Sequence, residues 1–333
     1  MSANKTAEGC RFCSEFSQAN GEDPIGSAGK REHWLIFEIA PPWLTRIGTK
    51  PKPMPQEVID ALKLSKEQGI NLESMAIAPD REFAVPGYKR VFHFHRPAKS
   101  KLFSKFEKHE FLVPDNELGS LAISLLACPE ELPRFEQYRQ HNEHIRELMV
   151  CTHGNKDVAC ARFGYPIYKT LREKYAVESE GKLRVWRCSH FGGHRFAPTL
   201  VDLPKGHHWG HLKPEILELL VKRNNDVARL RPYYRGWAGL SKFEQIVERE
   251  IWMREGWNWL DYFKAGQVLA MDEQDQKWAE VRIDFAAIDR SVSGAYEARV
   301  EATTPVKTMG KSGDEQSIKT VQQYLVTNLV KVS

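Results

Sequence analysis

Two stretches decide how this chain folds: Leu148-Met149-Val150-Cys151-Thr152-His153-Gly154-Asn155-Lys156-Asp157-Val158-Ala159-Cys160, and Leu183-Arg184-Val185-Trp186-Arg187-Cys188-Ser189-His190-Phe191-Gly192-Gly193-His194. Each opens on a short apolar run that reads as a buried strand and then breaks into a polar or glycine-containing loop. Between them, Val158 to Tyr175 is helix-like, with Pro166 as the expected kink. Strand, helix and strand in succession predict an α/β layer, in which loops at the same strand ends gather on one edge of the sheet. The pair Cys151 and Cys160 is thereby expected to meet the pair His190 and His194, although about thirty residues separate them in the chain. Gly192 and Gly193 remove side chains where the backbone must bend around whatever lies there.

The same grammar extends outward. Trp34 to Ile39 reads as a buried strand stopped by Pro41-Pro42, and a helix is expected from Pro55, carrying Val58, Ile59, Leu62 and Leu64 as its apolar stripe. Strands follow at Ile70–Ala78, Lys89–His95 and His109–Val113, then a mixed apolar segment from Leu118 to Cys128. Arg134 to Glu147 reads as a surface helix or linker, which puts a boundary near residue 140. Beyond the two quoted stretches come a strand at Pro198–Leu203, a His-rich turn and a helix from about Pro214. The last third holds a helix at Lys242–Arg254, strands at Val281–Phe285 and Tyr296–Ala302, and a segment, Val321–Val332, that suits helix or strand. The expected units are 10–140, 141–240 and a C-terminal α+β extension over 241–333.

Composition limits the function. The 333 residues are 41% hydrophobic and 28% charged, enough for sizeable cores and incompatible with a disordered chain. The 48 basic and 44 acidic side chains are mixed along the whole length and leave only +4, so no nucleic-acid role is expected. The apolar run Leu121–Ala127 is far shorter than the ~20 residues of a spanning helix, and Met1–Gly9 lacks the apolar core of a secretory signal. A cytoplasmic protein with no membrane segment is expected. Six cysteines (Cys10, Cys13, Cys128, Cys151, Cys160, Cys188) are too few for a disulfide scaffold of this size, so ligand, catalytic or packing roles are expected instead. Two cysteines and two histidines suit a structural Zn2+ ion. The eight residues between Cys151 and Cys160, however, exceed the usual zinc-finger spacing and open a loop wide enough for a two-iron cluster, so both remain open on spacing alone.

The chain resembles the sucrase/ferredoxin-like family. The likeness rests on Cys151-Thr-His-Gly-Asn-Lys-Asp157-Val-Ala-Cys160, Val185-Trp-Arg-Cys-Ser-His190-Phe-Gly-Gly-His194-Arg-Phe-Ala197, Leu203-Pro-Lys-Gly206 and Tyr234-Arg-Gly236, with Cys13-Ser, Trp34-Leu35 and Pro41-Pro42-Trp43 resembling the family's opening segment. It covers about residues 10 to 240. The resemblance implies tandem thioredoxin-like domains, the first without a ligand set and the second a ferredoxin holding a [2Fe-2S] cluster. It also implies Cys151, Cys160, His190 and His194 as ligands, two cysteines on one iron and two histidines on the other. With neutral imidazoles replacing two thiolates, the oxidised cluster would be formally neutral rather than doubly negative, which raises its potential relative to a plant-type ferredoxin. A free ring nitrogen on a ligating imidazole would couple reduction to pH.

The implied role is one-electron transfer with a redox partner protein, an electron carrier rather than an enzyme with its own substrate. Lys156, Arg162, Arg187 and Arg195 suggest a basic docking patch for that partner. The alternatives are a zinc-stabilised structural or binding protein, and a thiol oxidoreductase using Cys160 or Cys188. The word sucrase in the family name would require two opposed carboxylates, and the sequence singles out no such pair. Asp157 and Asp202 read instead as acceptors that orient His153, His190 or main-chain amides. Cys188 continues the alternation of its strand, Cys128 reads as a buried small residue, and Cys10-x-x-Cys13 lacks the preceding strand of a redox motif. His93 and His95 share one strand face without an apparent third ligand, His207, His208 and His211 suit a solvated turn, and Gly310-Lys311-Ser312 only imitates a phosphate loop.

Overall fold

The computed structural model of the chain describes residues 11–44, 55–98 and 100–332. The first half contains α1 (Cys13–Ala19), β1 (His33–Glu38), α2 (Gln56–Glu67), β2 (Leu72–Ile77), β3 (Tyr88–His95), β4 (Glu107–Pro114), α3 (Leu118–Leu126) and the short β5 (Arg139–Gln140). The second contains β6 (Arg146–Cys151), α4 (Val158–Thr170), β7 (Leu183–Cys188), β8 (Leu200–Leu203), β9 (His207–Trp209), α5 (Leu217–Lys222) and β10 (Tyr234–Trp237). Residue 140, the expected boundary, ends β5.

The ten strands form one mixed sheet in the order β10-β9-β8-β6-β7-β2-β1-β3-β4-β5. The two halves are built alike. In the first, β1 is parallel to β2 and antiparallel to β3, which pairs antiparallel with β4. In the second, β6 stands in the same relations to β7, β8 and β9. The halves meet edge to edge where β2 runs antiparallel to β7 through a single register pair, Ile77 with Cys188.

A buried ionic network reinforces that narrow seam. Glu147 of β6 accepts from the Trp186 indole at 2.7 Å and from Lys108 of β4 at 2.6 Å. Arg184 of β7 bonds both Glu147 and Glu110, and Glu110 also pairs with Arg90 of β3. Removing one member would strand a buried charge, a loss of about 3–5 kcal/mol.

Local sequence explains the elements around the site. Asp157 is the N-cap of α4 and accepts from the Ala159 amide at 2.9 Å. Pro166 does not end this helix, which continues through Leu171–Ala176 with the wider winding of a π-helix. On α2, Val58, Ile59 and Ala61 are buried, whereas Leu64 of the expected stripe faces solvent.

Beyond β10, α6 (Lys242–Glu255) begins with a Ser241/Glu244 capping box. It packs on β11 (Phe263–Met271), β12 (Trp278–Ala286) and β13 (Ser293–Ala302), which with β16 (Tyr324–Val332) form a four-stranded antiparallel sheet. In β12 the buried residues alternate as Ala279, Val281, Ile283 and Phe285, a period of two with one face on the helix. A hairpin, β14 (Val306–Met309) and β15 (Ile318–Val321), is inserted between β13 and β16. Val321–Val332 is therefore mostly strand.

Two sequence expectations need correction. Arg134–Glu147 is neither helix nor simple linker, because a 3-10 segment over Pro129–Tyr138 leads into β5 and Arg146 already starts β6. The His207–His211 segment is not solvated. β9 lies between β8 and β10, and His207, His208 and His211 are buried, with Trp209 packed on Trp252 of α6. Among the described residues no helix is long and apolar enough to cross a membrane.

Candidate metal centre

Cys151 is the last residue of β6, and Cys160 lies in the first turn of α4. Their thiols converge on one imidazole, the His190 Nδ1 atom lying 3.8 Å from Cys151 Sγ and 3.9 Å from Cys160 Sγ. One ligand atom from each of these three residues falls within 4.8 Å of the others. His194 stands beside them, its ring centroid 5.2 Å from that of His190. The structure thus brings all four expected ligands to one place. Three form the tight cluster, while His194 groups with Cys13 and Asp157 in an adjoining one.

His194 carries the most informative geometry. Its Nε2 donates to the Gly310 carbonyl at 2.7 Å, and its Nδ1 is buried with no hydrogen-bond partner. A buried polar atom without a partner is costly. A ring that donates one N–H to a carbonyl and keeps the other nitrogen as a lone pair is also the usual state of a metal-ligating histidine.

The thiols differ. Cys151 is held well below the ordinary thiol range because the Cys160 thiol bonds to it, against the opposing effect of burial and with help from His190. Cys160 is pushed the other way by the same bond and by burial. Burial, followed by the charge of Cys151, raises Cys188, which lies behind the site in β7 as its strand alternation implied. Protonated Cys160 and Cys188 are the opposite of what a nucleophilic thiol requires.

The supporting groups come from the whole chain. His153 accepts the His190 amide on Nδ1 at 3.2 Å and donates from Nε2 to the Trp43 carbonyl at 3.1 Å, so the Pro41-Pro42-Trp43 segment braces the loop. Ser189 ties the same loop to Ala76 of β2 through its amide and its hydroxyl. Arg235 is buried, donates to the Gly192 carbonyl at 3.2 Å and anchors on Ser27. Gly193, at φ 77°, has to be glycine, because a Cβ there would meet the Arg235 guanidinium with Nη1 2.7 Å away.

The hairpin closes the site from the other side. Besides Gly310, Ser312 donates its amide at 2.9 Å and its hydroxyl at 2.6 Å to the Asp157 carboxylate and receives the Cys13 amide at 3.0 Å. Cys13 Sγ lies 3.6 Å from Asp157 Oδ1 and from the His194 carbonyl, and burial pushes this thiol up to about 12. Cys10, its partner in the dithiol spacing, is outside the described residues.

Sequence reasoning missed the roles of Gly310, Ser312, Cys13 and Arg235. Arg235 and Cys13 left a signal in the motifs Tyr234-Arg-Gly236 and Cys13-Ser, while Gly310-Lys311-Ser312 stood out only as an imperfect phosphate loop. Asp157 does orient main-chain amides, as expected. Asp202 does not reach the site, and instead holds Arg146 at 2.6 Å and Arg223 at 3.3 Å.

The matched motifs lie on one continuous sheet, and a family model described as sucrase/ferredoxin-like matches residues 24–236. The chain belongs to this sucrase/ferredoxin-like family. The match covers both halves of the ten-stranded sheet and ends before α6, leaving the hairpin that touches His194 and Asp157 outside it. Neither the curated proteins nor the solved structures yield a match.

Proposed function

We propose that this sucrase/ferredoxin-like protein is a one-electron carrier whose thioredoxin-like second half binds a [2Fe-2S] cluster through Cys151, Cys160, His190 and His194. The observation that carries the reading is the His194 ring, donating to Gly310 on one side and offering a buried, unpartnered Nδ1 on the other, beside a two-thiol, one-imidazole cluster. A cluster bound there would supply one-electron redox chemistry. The chain's own contribution is to hold Cys151 toward the thiolate, to fix the His194 tautomer with a carbonyl, and to clamp the glycine loop with Arg235.

For the partner, Lys156 is half-buried and Arg162 exposed near the site, both free to meet an acidic surface, while Arg195 is engaged by Glu22 at 2.7 Å. If charge reversal at Lys156 and Arg162 leaves reduction by every tested donor protein unchanged, the docking element of the proposal fails.

One observation favours Zn2+ as a second reading. Zn–S and Zn–N bonds of about 2.3 and 2.0 Å place a tetrahedral sulfur and nitrogen roughly 3.5 Å apart, a few tenths of an ångström inside the two sulfur–nitrogen separations of 3.8 and 3.9 Å. Iron, sulfide and zinc analysis with electron paramagnetic resonance of the dithionite-reduced protein decides between them. Iron and sulfide in equal amount, with a signal lost in His194→Ala, support the cluster. Stoichiometric zinc without sulfide overturns it.

A further inference from the structure

At the opposite ends of β1 and β2 from the cysteine site, four histidines share one face of the sheet. Register places them there: His33 of β1 pairs with His95 of β3, and His93, two residues earlier and on the same face, pairs with His109 of β4. The rings pack closely, with centroids 5.1 Å apart for His93 and His95, 5.1 Å for His95 and His109, and 5.5 Å for His33 and His93. One ring nitrogen from each of His93, His95 and His109 lies within 4.8 Å of the other two.

The hydrogen bonds leave these nitrogens available. His95 Nδ1 lies 3.2 Å from the Arg96 carbonyl, which makes it the donor and leaves Nε2 with its lone pair. His93 Nε2 lies 3.2 Å from His33 Nδ1, while His93 Nδ1 is buried and has no partner, although the residue is only 6% exposed. The Glu107 carboxylate stands 3.5 Å from His95 Nε2 and could offset part of a cation's charge.

The second half of the sheet shows what these positions hold when they serve only the fold. By ladder register His33 and His93 correspond to Arg146 and Asp202, since Leu35 pairs with His93 as Leu148 pairs with Asp202. There the two residues satisfy each other as an ion pair at 2.6 Å. In the first half the same places carry imidazoles, and His93 keeps a nitrogen without any partner. We propose that His93, His95 and His109 form a binding site for one divalent transition-metal ion of the kind imidazole favours, such as Zn2+, independent of the cysteine site. Three nitrogen ligands leave a coordination position for water or an anion, and clefts lined by His33 and His95 on one side and by His109 on the other give access.

The probe is Co2+ added to the full chain carrying Cys151→Ser and Cys160→Ser, read by absorption, with Zn2+ uptake of the wild type followed by chelator competition. Expected are cobalt ligand-field bands without thiolate charge-transfer bands. Zn2+ binding at this second site should weaken by more than about 100-fold in His95→Asn/His109→Asn, whose targets are only half-buried. The cobalt spectrum is taken with every histidine intact, so misfolding of the histidine variant does not spare the proposal. Absence of nitrogen-only bands overturns it, as does Zn2+ stoichiometry and affinity unchanged in a folded histidine variant.

Discussion

Gly164 sets two known effects of a single methyl group against each other. It lies in α4, about one turn past Cys160, where a Cβ would fall inside the Cys151 carbonyl oxygen's contact radius and only 3.2 Å from that carbonyl carbon. Helix propensity alone favours Gly164→Ala by about 1 kcal/mol. The obstacle, however, is the backbone of β6, an interior strand of the sheet that no rotamer change can move. Restoring ordinary contact requires a helix displacement on the order of 1 Å. Overpacking of this kind costs about 1–3 kcal/mol, and the upper end applies because the neighbour is main chain. The net loss is then about 2 kcal/mol, or roughly 3 °C in melting temperature for a chain of this size. The same displacement carries Cys160 away from Cys151 and His190, so metal or cluster loading should fall along with stability. Differential scanning calorimetry and metal analysis on the same preparation test both. A variant that melts higher than the wild type and loads fully would refute the reasoning, because propensity would then have outweighed packing.

Other sites give independent tests. Ser312→Ala removes the hydroxyl's bond to the Asp157 carboxylate and the acceptor of the Cys13 amide, and should lower stability by about 1–2 kcal/mol, with faster amide exchange confined to 306–321 as the hairpin loosens; unchanged exchange there would rule out the latch. Gly193→Ala, strained at φ 77° and pressed on Arg235, should lose metal or cluster loading while the rest of the sheet keeps its melting temperature, and full loading would contradict the clamp. In the cluster-loaded protein the midpoint potential should fall with rising pH. A flat profile between about pH 6 and about pH 10 in the wild type opposes exposed imidazole ligation.

The α/β alternation, the strands β1, β2, β3, β6 and β7, and the convergence of two Cys/His pairs were legible because buried strands and strand-end loops leave local apolar signatures. The likeness between the two halves was legible only through the family resemblance, since it lies in strand order and register rather than in residue identity: Arg146 and Asp202 stand where His33 and His93 do. The burial of His207, His208 and His211 escaped for a related reason. A three-residue strand rich in histidine looks polar, and only its position between β8 and β10 under α6 puts it inside. Gly310 and Ser312 were illegible because their role depends on contacts with residues more than a hundred positions away.

Asp202 tests whether the ion pair in the second half does the structural work that the histidine block leaves undone in the first. Burial alone would raise its carboxyl, but Arg146 and Arg223 outweigh burial and hold it below the ordinary carboxylate range. A depressed folded-state pKa contributes stability that is fully present above the unfolded value, about 3.9, and is lost as pH falls through the folded value. Asp202→Asn removes the negative charge facing two guanidinium groups, of which Arg146 keeps its bonds to the Leu220 and Val221 carbonyls, and should cost about 2–3 kcal/mol at neutral pH. The gap between variant and wild type should begin to narrow as pH falls below about 4, where the unfolded chain takes up the proton, and close only as pH falls through the lower folded value. Melting temperatures of both proteins across that range measure the closure. A gap that stays constant with pH would mean that Asp202 acts through shape or hydrogen bonding rather than charge, and the contrast drawn between the two halves would lose its electrostatic basis.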